Sequence, residues 1–426
     1  MGLTNLQTFI KTQFLNKMNL PPFHFTSQSQ HFLNQIYNHL LRAESDLVKT
    51  SIIITPLYLD EMFTGESYYY IPIEIRNQIH KSEKIGYQCQ FNLSGREIYI
   101  KIVFPIESTS NTITSIQKKY KTETIKMVKQ IFLWLFIAEK YACRKCSKKM
   151  TLFFYMTDHL KLLPVKGNSL GLINANTAFT TPCSHSTDIH LFRKEEWFKV
   201  FIHETFHNLG LDFSTMPQDK AELKISKLFP MNISDIRIFE SYCENWAELM
   251  NILFTAYWNT QNKRDFGKIV EKMEKYLQLE RVFSLFQCTK VLNHSQLKYT
   301  DIYQNAEHKP ILGKIKQYKE KTNAFSYFIL KPIIMFYMND FISWSIAYNG
   351  ATLDFKKTQA NMIQYVGLFE QLYDLPEYLH YMDIMSQLYK PTNNLIVGGN
   401  GSINPDEVNT QTYNPYQSLR MSLTGD

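Results

Sequence analysis

The chain has 426 residues, of which 44% are hydrophobic and 20% charged, with 15 Gly and 15 Pro. This is globular material, and it excludes a mostly disordered, collagen-like or coiled-coil protein. The net charge of +7 is scattered, with Asp and Glu interleaved, which argues against a dedicated nucleic-acid binder and supports only a weak preference for acidic surfaces.

A length prior of about 150 residues per domain allows two or three domains. Residues 3–18 and 28–42 have helical periodicity, and residues 51–59 form a β-rich run whose Pro56 suggests an edge strand. Residues 86–104 alternate apolar and polar on both sides of Ser94-Gly95, which predicts a β-hairpin. With no chemical signature, residues 1–120 are expected to form an accessory α+β domain.

Residues 122–141 predict a helix with one broad apolar face, and residues 151–156, 170–181 and 187–192 predict strands. A helix over 194–209 should end before Gly210, a natural left-handed cap. Another covers 236–257, and helical patterns fill most of 263–390. From Pro391 the chain is rich in Asn, Gly, Ser and Thr, so 391–426 is expected to be a flexible tail.

Six dispersed cysteines do not make a disulfide scaffold. Only Cys143 and Cys146 share a C-x-x-C spacing; a structural zinc site would need a second pair, so the plain reading is two thiols after a helix. The N-terminus lacks the pattern of a signal peptide. The apolar run 131–138 is too short to span a membrane, and 325–348 carries Lys331, Pro332, Asn339 and Asp340 through its middle. An intracellular protein without a membrane span is expected.

The informative stretch is His203-Glu204-Thr205-Phe206-His207, an H-E-x-x-H pattern. On a helix, residues four apart share a face, so both imidazoles can reach one tetrahedral Zn²⁺, and Glu204 lies where it can take a proton from the metal's water. Chance gives this pattern in about one such chain in fifty, and two plain histidines on an amphipathic helix are the alternative. Zinc needs a third protein ligand. Three residues beyond Gly210 stands Phe213, which cannot bind metal, and Asp212 is one residue early. Glu240, Glu244 and Glu248 follow one another at i,i+4 spacing on one helix face. Like charges so placed repel slightly, and a cation opposite them would make the row favourable; a solvated acidic face is the alternative.

His203-Glu204-x-x-His207 followed by Glu244-Asn245-Trp246-Ala247-Glu248 resembles the gluzincin branch of the zincin metallopeptidases. There the ligand Glu is commonly followed by a small residue three on and an acid four on. The resemblance covers about residues 122–260. It implies Glu244 as third zinc ligand with Glu240 competing, Ala247 as the close-packing residue, and Glu248 as the carboxylate behind a zinc-bound imidazole. It also implies a substrate-binding edge strand, best placed at 173–179, and an oxyanion donor among His294, Tyr299, His308 and Tyr327. More loosely, Arg193-Lys194-Glu195-Glu196-Trp197 is similar to uncharacterised peptidase-like proteins of large DNA viruses.

The expectation is therefore an α+β protein. Its zincin-like metallopeptidase domain covers 121–390: a core at 122–260, with a small mixed sheet and the motif helix, then a helical part at 261–390. Function is expected to be zinc-dependent hydrolysis of a protein or peptide substrate, with Glu204 as general base. The alternative is a catalytically silent zincin-like structural or interaction protein, for example a virion component.

Overall fold

The computed structural model describes residues 4–63, 65–106, 112–233, 235–391 and 414–425. The alternation around Ser94-Gly95 folds as a hairpin of β2 (Lys84–Leu93) and β3 (Arg96–Pro105). Both turn residues have positive φ, 51° and 80°, the backbone that a tight two-residue hairpin turn demands. β1 (Thr55–Pro56) caps the edge beside β2, where the missing N–H of Pro56 costs no ladder bond.

The other side of β3 takes β4 (Lys149–Tyr155) in parallel, joined through the helix Ile113–Ala138. A parallel pair needs such a crossover. β6 (Ser186–Leu191) adds in parallel to β4, and β5 (Ala178–Thr180) closes the far edge antiparallel to β6. The result is one six-stranded mixed sheet in the order β1-β2-β3-β4-β6-β5. The chain is α+β.

The boundary expected at residue 120 does not separate two bodies. It falls inside the crossover helix, and the hairpin assigned to an accessory domain supplies a central strand of the sheet. The physical reason lies in β3: Ile98, Ile100 and Ile102 line one face of a strand paired on both edges, by β2 and β4, and are buried in the shared core. One continuous apolar core runs from Leu6 to Leu423. It takes in the N-terminal helices, one face of the sheet (Met150, Leu152, Phe154, Ile189, Leu191) and the C-terminal helices. A smaller cluster of Leu57, Met62, Tyr68, Ile75, Val103, Tyr155 and Phe192 covers the sheet's other face.

Residues 170–181 are not one strand. Leu172–Ala175 form a short helical turn before β5. Asn174 accepts from the Gly171 N–H at 2.9 Å and donates to the Leu162 carbonyl, local bonds that compete with a ladder.

Most of the expected tail, residues 392–413, lies outside the described residues. Its end does not behave as a tail. Leu419, Met421 and Leu423 are buried in the core, and Ser422 and Thr424 bond buried acids. Polar composition concealed this, because the polar residues here are hydrogen-bond partners rather than solvated groups. Among the described residues no helix is long and apolar enough to cross a membrane.

Candidate metal centre

The motif helix, Trp197–Asn208, begins at Glu196 and ends at Gly210, whose φ of 69° is the left-handed cap expected. Phe198, Phe201, Ile202 and Phe206 bury its inner face. The crossover helix holds it from behind: Trp134 Nε1 donates to Thr205 Oγ1 at 2.7 Å, and the Trp134 and Phe206 rings stack. His203, Glu204 and His207 are left facing a second helix, Ile238–Trp258, which carries the three glutamates.

The motif histidines bring their Nε2 atoms to 3.1 Å of one another. Glu240 Oε2 completes a triangle, 3.1 Å from His203 Nε2 and 3.7 Å from His207 Nε2. A point equidistant from the three atoms lies about 1.9 Å from each, so an ion slightly out of their plane would stand at the usual ~2.0–2.2 Å for zinc with nitrogen and carboxylate ligands. The donor set fits the metal.

Glu244, expected as the third ligand, is on the other side of the imidazole. Its Oε1 lies 2.9 Å from His203 Nδ1, close in distance though bent in angle. Its Oε2 pairs with Lys199 and lies 3.6 Å from Lys331 Nζ. Glu248, one turn further on, takes Lys331 at 2.8 Å and the Ser422 hydroxyl at 2.7 Å. All three glutamates are buried, so the row is not a solvated face. Glu240 faces both Nε2 atoms, Glu244 stands between His203 Nδ1 and the lysines, and Glu248 faces Lys331.

Asp212 also takes an outer position: Oδ2 is 2.6 Å from His207 Nδ1, and Oδ1 accepts from Ser214 Oγ at 2.9 Å. Each motif histidine thus turns one ring nitrogen to the triangle and the other to a carboxylate. That arrangement fixes the tautomer of a metal-binding imidazole and raises its basicity. Cys243 Sγ stands 3.9 Å from His207 Nδ1 and from Asp212, and burial pushes its thiol well up.

Electrostatics follow from this packing. Burial alone would lower the His203 pKa, but Glu240 and Glu244 outweigh it and hold it up at about 9. Burial likewise opposes the charge on His207, against which Cys243, Asp212 and Glu240 raise its pKa well above the ordinary value. Glu240 and Glu244 lie well below the carboxylate range despite burial, Glu240 through bonds from both histidines and Glu244 chiefly through Lys199. Without metal, protonated imidazoles supply the positive charge that these acids require. Glu204 differs: burial raises its pKa, and no protein group among the described residues hydrogen-bonds its carboxylate.

Of the four oxyanion donors considered, only Tyr327 reaches the site. Its hydroxyl donates to Glu240 Oε2 at 2.9 Å, and its ring lies 6.2 Å from that of His203. His294 and His308 contact backbone carbonyls elsewhere, and Tyr299 donates to the Tyr373 carbonyl. Tyr327 sits in a π-helical turn, Ser326–Leu330, a local unwinding that often marks functional positions. No protein-family model, curated protein or solved structure matches the chain.

Sequence reasoning did not find Asn323, which donates to Glu240 Oε1 at 3.3 Å, nor Lys199 and Lys331. Lys331 carried a signal: one cation inside an otherwise apolar helical run needs a buried acid. The Arg193–Trp197 run also has a structural task. Buried Arg193 donates to the carbonyls of Asn176, His159 and Ile173 and so holds the segment leading into β5, while Glu196 pairs with buried Lys161.

Proposed function

We propose that this chain is a zinc-dependent peptidase, with zinc held by Nε2 of His203, Nε2 of His207 and Oε2 of Glu240. The observation that carries the reading is the donor triangle, with a carboxylate behind each imidazole and an unpaired carboxylate, Glu204, on the same helix. Zinc so held supplies a Lewis acid that polarises a carbonyl and lowers the pKa of water towards ~7.

Glu204 accepts the proton of the attacking water and returns it to the leaving amine. Its burial keeps that carboxylate weakly solvated and hence a better base. Tyr327 turns its hydroxyl from Glu240 to the oxygen that gains charge at the scissile carbonyl. β5, the antiparallel edge strand, offers unpaired backbone groups to an extended peptide.

The gluzincin spacing also suits this assignment when shifted by one helical turn. With Glu240 as ligand, Cys243 is the small residue three on, and Glu244 is the acid four on that meets a ligand imidazole. A sheet with parallel central strands, an antiparallel edge and a following motif helix suits a zincin-like core.

Glu204→Gln tests the activity. Peptide hydrolysis should fall by at least ~10³-fold while bound zinc is retained, since the variant removes the proton acceptor and no ligand. Equal turnover by wild type and variant would overturn the peptidase reading and leave a structural protein.

A further inference from the structure

A second cluster of metal-ligating atoms lies at the end of the motif helix, away from the donor triangle. Cys143, Cys146 and Cys183 bring their Sγ atoms within 4.8 Å of one another. Thiolates on one tetrahedral zinc stand about 3.8 Å apart, at Zn–S distances near ~2.3 Å. The structure joins Cys146 to Cys183 as a disulfide and leaves Cys143 an exposed thiol beside it. A disulfide accounts for two of these side chains. It gives no reason for the third.

The surrounding backbone is arranged about all three. The Cys146 N–H donates to the Cys143 carbonyl at 3.1 Å, closing the C-x-x-C turn, and the Cys143 N–H donates to the Leu209 carbonyl at the motif helix terminus. The loop holding Cys183 is tied to the same turn: Ser147 N–H to the Ser184 carbonyl at 2.6 Å, and Lys149 N–H to the His185 carbonyl at 3.1 Å. Arg96, almost fully buried, donates to the carbonyls of both Cys143 and Cys146.

Gly210 forms the floor. A Cβ there would lie 2.9 Å from Cys146 Sγ, 3.4 Å from Cys143 Cβ and 3.5 Å from Cys183 Cβ, so the three cysteines converge on a space that only glycine leaves open. Arg144 and Lys145 stand between Cys143 and Cys146, and Lys148 follows two residues on. Such cations offset the negative charge that three thiolates leave on a divalent ion.

We propose that Cys143, Cys146 and Cys183 form a structural zinc site, with His185 or solvent as fourth ligand, that staples the end of the motif helix to the starts of β4 and β6. The disulfide is the oxidised form of the same site. Two molecules of a small cellular thiol reduce it, giving one molecule of their own disulfide and two cysteine thiols. Zinc then binds as the three thiols release three protons. This inference is independent of the peptidase reading, because the two sites share no ligand.

Cobalt distinguishes this site from the donor triangle of His203, His207 and Glu240, none of whose ligand atoms is sulfur, and the paired histidine variant below also removes the His207 beside the Cys243 thiol. Protein prepared under thiol reductant and loaded with Co²⁺ should show sulfur-to-cobalt charge-transfer absorption, and zinc-loaded wild type should hold about one metal ion more than Cys143→Ser. The paired variant His203→Ala/His207→Ala should keep the charge-transfer band. Cys143 is exposed and outside the disulfide, so Cys143→Ser spares folding, and circular dichroism of that variant verifies it. The proposal is overturned if Cys143→Ser binds as much zinc as wild type, or if wild type under reductant shows no charge-transfer band.

Discussion

Replacing Glu240 and Glu244 separately by Gln distinguishes the inner carboxylate from the outer one. Glu240 has one oxygen on the triangle of donor atoms, 3.1 Å and 3.7 Å from the two Nε2 atoms. A four-ligand zinc site is worth roughly 10–16 kcal/mol, so one ligand carries about 3–4 kcal/mol. At about 1.4 kcal/mol per decade, Glu240→Gln should weaken zinc about 10²–10³-fold. Glu244 acts through His203 Nδ1, and loss of such a carboxylate costs about 10–100-fold. Stability of the metal-free protein should fall in both variants, since Glu240 is bonded there by both imidazoles. Glu244→Gln leaves Lys199 short of its acid, and breaking a buried pair costs about 3–5 kcal/mol. Competition against a chromogenic chelator measures the affinities, and urea unfolding of the metal-free proteins measures the stabilities. Weaker zinc binding by Glu244→Gln than by Glu240→Gln would refute the assignment.

The metal-free protein and its zinc affinity should respond oppositely to rising pH. His203 has its pKa raised from 6.5 to about 9 in the fold, so its contribution is complete below 6.5 and is lost as pH rises to 9, about 3 kcal/mol in all. Glu240 and Glu244 are depressed, so theirs is present above the ordinary carboxylate value of 4.5 and is lost on acidification. Chelator-treated protein should therefore be most stable between about pH 4.5 and 6.5, while zinc affinity climbs from 6.5 to 9 as binding displaces the imidazole proton; an affinity independent of pH across that window would contradict this. Tyr327→Phe should lower kcat about 10²-fold with KM little changed, and an unaltered kcat would remove Tyr327 from the oxyanion role. Ile100→Ala, in the central strand β3, should cost about 2–5 kcal/mol and shift one cooperative transition seen by probes at both ends of the chain; separate transitions would contradict the shared core.

The features visible in the sequence are those with a short period. The β2–β3 hairpin follows from alternation and a turn that needs positive φ, and the motif helix follows from its ligand spacing and Gly210. Long-range register was not visible. Glu240 and Glu244 lie one turn apart on the same face, and which of them meets the imidazoles depends on how far the two helices slide past one another. The parallel pairing of β3 with β4 spans the whole crossover helix, and no local pattern announces it. Residues 414–425 read as tail because Ser422 and Thr424 are polar, yet the Ser422 hydroxyl donates to Glu248 and Glu280 and the Thr424 hydroxyl accepts from Asn251, all buried and distant in sequence. Cys183 was unreadable beside Cys143 and Cys146 for the same reason: it arrives from another loop.

Anomalous diffraction at the zinc absorption edge, on crystals of protein purified without chelator, tests the central claim most directly. The account predicts a peak about 2 Å from Nε2 of His203, Nε2 of His207 and Oε2 of Glu240, with Glu204 beside it and no ligand from Glu244. No peak at the two histidines, or a peak bound by Glu244 in place of Glu240, would contradict it.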